Sequence, residues 1–453
     1  MSSFQERLLK VIPGGAHTYS RGYDQYPTNA PQILSRGKRA YVFDHADNRY
    51  LDYGMGLRAV NVGYAEDEID EAAIRQIRNG NNLTRPSMIE LEAAELLVGM
   101  IDSVDMVKFT KNGSTAVSAA IKLARAFTGR ELVARCADQP FFSYDDWFIG
   151  STPLTRGIPQ ETIQQTKMFR YNDIASLEML IAEYPDQFAC VVLEPAALEC
   201  PALGADTSGC CGQALCTRDY ASSTDNYLQQ VQHLCKKHGI VFVLDEMITG
   251  FRWHMKGAQH IYGVTPDLCT FGKAMANGFA VSCVAGRREI MELGSIDFEG
   301  RERVFLLSTT HGAEMSGLGA FVATMDFMQR HQVVEHLWNY GQKLITMMQR
   351  QAEAHGIADY FKVGGVACSP YYLTQDTTGA SSLALRTLFS QEMIRNGVMM
   401  PWIALSYRHG EEELAITERA IDITFAVYRK ALDEGVDKYL KGPVIKPVFR
   451  KYN

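Results

Sequence analysis

Apolar residues in the middle of the chain fall into two kinds of run. Short runs such as DMVKFT (105–110), ELVARCA (131–137), ACVVLEP (189–195) and IVFVLDE (240–246) hold few polar positions. A strand buried on both faces reads this way. Between them lie longer stretches with apolar residues three and four apart. AVSAAIKLARAFTG is rich in alanine and stops at Gly129; TDNYLQQVQHLCKKHG sets Leu228, Val231 and Leu234 on one face, ahead of Lys236, Lys237, His238 and Gly239. Basic residues followed by glycine predict a helix C-terminus. Strands alternating with helices predict an α/β fold with a mostly parallel sheet between helices.

The rest of the chain is less regular. Residues 1–60 read as an N-terminal arm with turns that contributes to the smaller domain and to the active site. Residues 61–315 read as the large domain, with an insertion at about 200–223. Residues 316–453 read as a smaller α+β domain, with helical stretches such as EEELAITERAIDITFAVYRKALDEG. No repeat or low-complexity segment is visible.

Composition narrows the class. The 453 residues are 46% hydrophobic and 21% charged, as in ordinary soluble proteins. A formal net charge of −7 argues against a nucleic-acid or anionic-membrane partner held by bulk charge. Runs such as GIVFVL are too short to span a bilayer. MSSFQERLLKVIPGG lacks a long apolar segment, so a cytoplasmic location is expected, with the ten cysteines as reduced thiols. The insertion carries Cys200, Cys210, Cys211 and Cys216. Their spacing matches no zinc pattern, so a lid or interface loop is expected there rather than a metal site.

In a parallel sheet, ligands bind beyond the carboxyl ends of the strands. Polar groups fall at three such ends: KNGST after the first strand, Glu194 after CVVL and Asp245 after IVFVL. Lys273 follows in TPDLCTFGKAMANG, between Gly272 and Ala274. Taken singly, each has a plainer reading. A loop lysine is a solvated charge, Asp245 a capping or ion-paired acid, NGST a helix cap, and Phe141 and Phe142 of QPFFSYDDW core aromatics. Taken together they match the needs of pyridoxal 5'-phosphate. Gly113, Ser114 and Thr115 would cradle the phosphate. Asp245 would hold the ring nitrogen protonated, Lys273 would form a Schiff base, and Phe141 or Phe142 would stack on the ring.

VLDEMITGFRWHMKGAQHIYGVTPDLCTFGKAMANG (243–278) closely resembles the corresponding segment of class III pyridoxal-phosphate aminotransferases, in particular the glutamate-1-semialdehyde aminomutase-like subfamily. IPGGAHTYSRGYDQYP, KNGSTAVSAAIKLARAFTGR and GVMMPWIALSYRHGEEELAIT extend the resemblance over most of the chain. It implies fold type I. It makes Lys273 the Schiff-base lysine, Asp245 the pyridinium partner, and Gly113 and Ser114 the phosphate residues. Phe141 falls at the stacking tyrosine and Glu194 at an acid beside the cofactor. Thr310 of LLSTTHGAEMSG matches a threonine that reaches the neighbouring subunit's phosphate, implying a homodimer with shared active sites. Thr18 and Arg21 of HTYSR match residues that handle the substrate end, although Arg21 stands equally open to a surface ion pair. Arg58 of GMGLRAV offers a second anchor for a polar substrate.

The sequence also departs from the family pattern. NSGTEA becomes KNGSTA, YHG becomes FFS, and the aminomutase's glycine-rich gate is missing. The leading expectation is a transaminase that carries an amino group from an amino-acid donor to an aldehyde or ketone, carbohydrate-type compounds included. The alternatives are an aminomutase with donor and acceptor in one molecule, and a non-catalytic binding subunit of the same fold.

Overall fold

A computed structural model describes residues 3–196, 199–204, 220, 225–297 and 299–452. The chain divides into two units. One holds the described residues up to Glu66 and from Glu335 onward, and the other those from Asp67 to Val334. The divisions thus fall near 66 and 334, against the 60 and 315 expected from the pattern.

Thirteen strands run along the described chain. The first three are β1 (Leu34–Lys38), β2 (Tyr41–Asp44) and β3 (Arg49–Asp52). Seven more are β4 (Met106–Thr110), β5 (Leu132–Cys136), β6 (Thr166–Phe169), β7 (Phe188–Leu193), β8 (Val241–Asp245), β9 (Leu268–Phe271) and β10 (Ser282–Gly286). The last three are β11 (Phe361–Val366), β12 (Ser369–Thr374) and β13 (Val398–Met399).

The unit from Asp67 to Val334 is built on one seven-stranded sheet in the order β4-β10-β9-β8-β7-β5-β6. Strands β5 to β9 are mutually parallel, and β10 runs antiparallel between β9 and β4. Every residue of β7, β8 and β9 is buried, as their unbroken apolar sequences require. The four strands expected from the pattern lie within two residues of their observed ends. The helix Tyr227–His238 buries Leu228, Val231 and Leu234, contributing about 5 kcal/mol of gross apolar transfer. Asn226 and Gln229 cap its start reciprocally, and Gly239 ends it at φ 62°, a conformation that disfavours side chains with a Cβ.

The other unit is more regular at its start than the pattern suggests. The stretch expected to be an arm with turns also holds a helix, Phe4–Val11, closed by a Ser3–Glu6 capping box. Beyond it, β1, β2 and β3 form an antiparallel meander joined by β13, which runs parallel to β3. Strands of four or five residues are too short for alternation to stand out in sequence. The hairpin β11–β12 packs on the helices Leu383–Arg395 and Glu411–Glu434 through an aromatic cluster. In it, the Phe361 ring lies 4.9 Å from Phe389 and 4.8 Å from Phe425. Among the described residues, no helix is long and apolar enough to cross a membrane.

Candidate active site

The carboxyl ends of β8 and β9 set the site's central pair. Parallel pairing puts Asp245 opposite Thr270, three residues ahead of Lys273. Asp245 is only 3% exposed. Its Oδ1 accepts from the Met247 N–H at 2.9 Å and from Thr270 Oγ1 at 3.1 Å. Both bonds land on one oxygen, and no described residue donates to Oδ2. Burial pushes the carboxyl up to about 6, opposed by the charge of Lys273 and then by these two hydrogen bonds. Lys273 opens a short 3₁₀ turn, Lys273–Ala276, and has φ 46°. A non-glycine residue there carries about 1–2 kcal/mol of strain, which surrounding structure must offset.

The turn after β4 makes the second half of the site. Asn112 caps the helix Gly113–Thr128 by accepting from the Thr115 N–H at 2.9 Å. The N–H groups of Gly113 and Ser114 have no acceptor among the described residues, as expected at a helix start. Ser114 Oγ accepts from the Tyr144 N–H at 3.0 Å, which leaves its hydroxyl hydrogen to donate. Thr115 Oγ1 instead donates to Asn112 at 3.0 Å, so its hydroxyl hydrogen is already engaged. A Cβ on Gly113 would meet Met247 Sδ at 2.9 Å, and one on Gly272 would meet the same sulfur at 2.6 Å. At Gly272, where Ser282 Oγ also crowds the position, a side chain has no room, whereas at Gly113 it would have to displace Met247.

The two aromatics separate. Phe142 is 2% exposed and sits in the core, its ring 5.7 Å from Phe148, so its environment is that of a packing residue. Phe141 is 48% exposed, and only one ring of the pair is open to a ligand. Glu194, 3% exposed, is held at its backbone by Gln139, which donates to its carbonyl and accepts its N–H, both at 2.8 Å. Thr310 is exposed, and its carbonyl accepts from Asn82 Nδ2 at 3.2 Å. Of the insertion, Cys200 is buried within the described residues, whereas Cys210, Cys211 and Cys216 lie outside them. Among the described residues no cluster of three metal-ligating side chains occurs.

Thr18, Arg21 and Arg58 belong to the other unit. Thr18 and Arg21 are exposed, and the Arg21 N–H donates to Thr18 O at 2.8 Å. Arg58 closes a single left-handed turn. Met55, Gly56, Leu57 and Arg58 have φ of 39°, 58°, 64° and 66°. Asp52 holds this turn, accepting the Gly54 N–H at 2.7 Å, the Met55 N–H at 3.0 Å and the Tyr64 hydroxyl at 2.6 Å. Tyr64 in turn accepts the Gly56 N–H at 2.7 Å, and Trp402 Nε1 donates to Gly54 O at 3.1 Å. Arg58 Nη1 donates to Ser369 Oγ at 2.9 Å. Burial and the Asp52 charge both push the Tyr64 phenol up, and the charge of Arg21 opposes them, so Arg21 is felt at the residue that holds this turn.

Asn112, Gln139, Met247 and Thr270 were not singled out from the sequence. Asn112 alone had a signal, as the start of the NGST cap; Thr270 is set beside Asp245 by strand register, which the sequence does not give.

The donor set fits pyridoxal phosphate: an open carboxylate oxygen, a lysine within its electrostatic reach, a glycine-cleared helix start and an exposed aromatic. The sequence matches the family "Aminotransferase class-III" over residues 22–200 and 219–400. It is 30% identical over 436 residues to a 3-aminobutyryl-CoA aminotransferase of Cloacimonas acidaminovorans (strain Evry), covering 95% of this chain and 98% of the relative. Among solved structures, the PLP internal aldimine form of the FumI protein of Sphingopyxis sp. MTA144 superposes with a TM-score of 0.81 at 25% identity, covering 95% of this chain and 97% of that one. An omega-transaminase from Sphaerobacter thermophilus gives 0.78 at 25% identity, covering 94% and 97%. The chain belongs to the class III aminotransferases. It is a pyridoxal-phosphate-dependent transaminase of fold type I.

Proposed function

We propose that this transaminase carries an amino group from an amino-acid donor to an aldehyde or ketone acceptor, with carbohydrate-type carbonyl compounds among the candidates. Pyridoxal phosphate, when bound, supplies the carbonyl that takes up the amino group and a ring that draws electron density from the reacting carbon. Lys273 would be the residue that holds the cofactor's aldehyde carbon, and its free amine would be the group that takes and returns a proton at the donor's reacting carbon. Asp245, whose Oδ1 is already engaged, would accept the ring N–H and keep that nitrogen charged. Gly113 and Ser114 bind the phosphate through backbone N–H groups and the Ser114 hydroxyl, with Thr115 stabilising the turn. Phe141 would stack on the ring, and Glu194 would be the acid beside it.

What supports these roles most is Asp245: a buried acid with one oxygen left open, three residues in register from the only lysine of its loop. Thr18 and Arg21 take the substrate's polar end, and Arg58 gives a second cation for it. Thr310 serves the phosphate of a second copy, so the working form is a homodimer. We also infer a cytoplasmic location.

A second reading is the aminomutase reaction, supported by HTYSR, with the same residues acting on one molecule that holds both amine and carbonyl. One experiment separates the two. The protein is loaded with the aminated cofactor and screened against aldehydes and keto sugars, following return of the aldehyde-form absorbance. Turnover of a carbonyl acceptor that needs a separate amino donor supports the transaminase reading. Product from glutamate-1-semialdehyde with no second donor supports the aminomutase.

A further inference from the structure

Lys111 stands between the end of β4 and the Asn112 cap. Where the family pattern reads NSGTEA, this chain has a lysine in place of the asparagine. Its ammonium makes two bonds across the unit, to Glu314 Oε2 at 2.9 Å and to Ala280 O at 3.1 Å. Ala280 lies seven positions beyond Lys273, just ahead of β10. Glu314 precedes the helix Met315–Arg330 and ends the loop that carries Thr310.

That loop is fixed at several points. Glu314 Oε1 accepts from Asn81 Nδ2 at 2.9 Å and Ser316 Oγ at 2.8 Å. Asn81 also accepts the Ser316 N–H at 2.9 Å and the Met315 N–H at 2.8 Å. Asn82 holds the Thr310 carbonyl at 3.2 Å. A Cβ on Gly317 would lie 2.6 Å from Val281, so glycine there lets the start of this helix lie close against the chain that follows Ala280. Charge-assisted bonds from Lys111, then Asn81, hold the Glu314 carboxyl down at about 2, so the carboxylate stays ionised at neutral pH.

One ammonium therefore joins the phosphate turn, the chain that follows the Lys273 loop and the loop that bears Thr310. We propose that Lys111 and Glu314 form a positioning pair that fixes this chain's own phosphate turn and its Thr310 loop in one register, so that the two phosphate sites of a dimer are built together. The inference rests on the reading that Thr310 reaches the partner's phosphate. Each subunit then presents its turn to one site and its loop to the other, and the ion pair makes the two one rigid piece.

The test is a cycle of cofactor dissociation constants. Pyridoxal phosphate is titrated by absorbance into cofactor-free wild type, Lys111→Met, Thr310→Val and the double variant. Each single change is expected to weaken binding roughly tenfold, the scale of one charge-assisted hydrogen bond. The double variant should lose clearly less than the product of the two, because Lys111 acts partly through Thr310. Lys111→Arg should restore affinity to within about threefold of wild type. Losses that multiply, or a Lys111→Met variant that binds as wild type does, would overturn the pair. A silent Thr310→Val beside a weakened Lys111→Met would instead sink the Thr310 reading, and the two-site claim with it. Should Lys111→Met fold poorly, Glu314→Gln takes its place in the cycle with the same expectations.

Discussion

Asp245 and Thr270 face each other across the β8–β9 ladder, and the threonine hydroxyl donates to the buried carboxylate at 3.1 Å. A buried carboxylate is costly without a positive partner, such as the ring nitrogen proposed for Asp245. Its folded value near 6 lies above the ordinary 3.8, so the folded cofactor-free chain holds this proton more tightly than the unfolded chain. The stability it contributes is therefore present below about pH 4 and lost as pH rises to about 6, at a cost of about 3 kcal/mol.

Cofactor-free Asp245→Asn should consequently melt above wild type at pH 7.5, by up to that amount less what the buried amide loses, with the gap closing near pH 4. The same variant should lose at least a hundredfold in amino transfer, because the ring nitrogen no longer meets an anion. Thermal melting at the two pH values checks the first part. A lower melting temperature at pH 7.5 would contradict it.

Crowding around Met247 gives a second test. A methyl on Gly272 would collide with Ser282 Oγ and approach Met247 Sδ to 2.6 Å, and that sulfur already limits the space at Gly113. Gly272→Ala should cost about 1–3 kcal/mol of stability from overpacking. It should also weaken cofactor binding, because the displaced methionine presses on the phosphate turn. Melting and an absorbance titration read the two effects separately.

The left-handed turn ending at Arg58 depends on one acid. Asp52 accepts three hydrogen bonds there, and three non-glycine residues of the turn hold positive φ. Asp52→Ala should destabilise the chain by about 3 kcal/mol or more, since buried donors lose a charged acceptor and the strain loses its restraint. Asp52→Asn should cost less. Substrate KM is expected to rise in the asparagine variant with cofactor affinity unchanged, as fits a turn that presents Arg58. Denaturant unfolding and steady-state kinetics check both statements.

Four of the seven strands of the large sheet were legible as apolar runs, most plainly β7 and β8, where burial on both faces leaves little room for polar residues; β6, short and only partly buried, was not. Lys273 and Asp245 stood out because each follows such a strand. The β1–β3 meander did not, since its short strands carry Arg36, Lys38 and Arg49 among their few positions. Nor could the sequence separate Phe141 from Phe142, because adjacent residues differ in exposure only once the backbone direction is set. The Lys111–Glu314 pair was invisible for another reason. Its partners are distant along the chain and meet only through the packing of the helix Met315–Arg330.

The central claim is that Lys273 is the residue to which the cofactor is bonded. The most direct measurement reduces the purified, cofactor-loaded protein with borohydride, digests it and locates the pyridoxyl group by mass spectrometry. The account predicts the group on the peptide containing Lys273, and no label in Lys273→Ala. Label on another lysine, or undiminished label and turnover in Lys273→Ala, would contradict it.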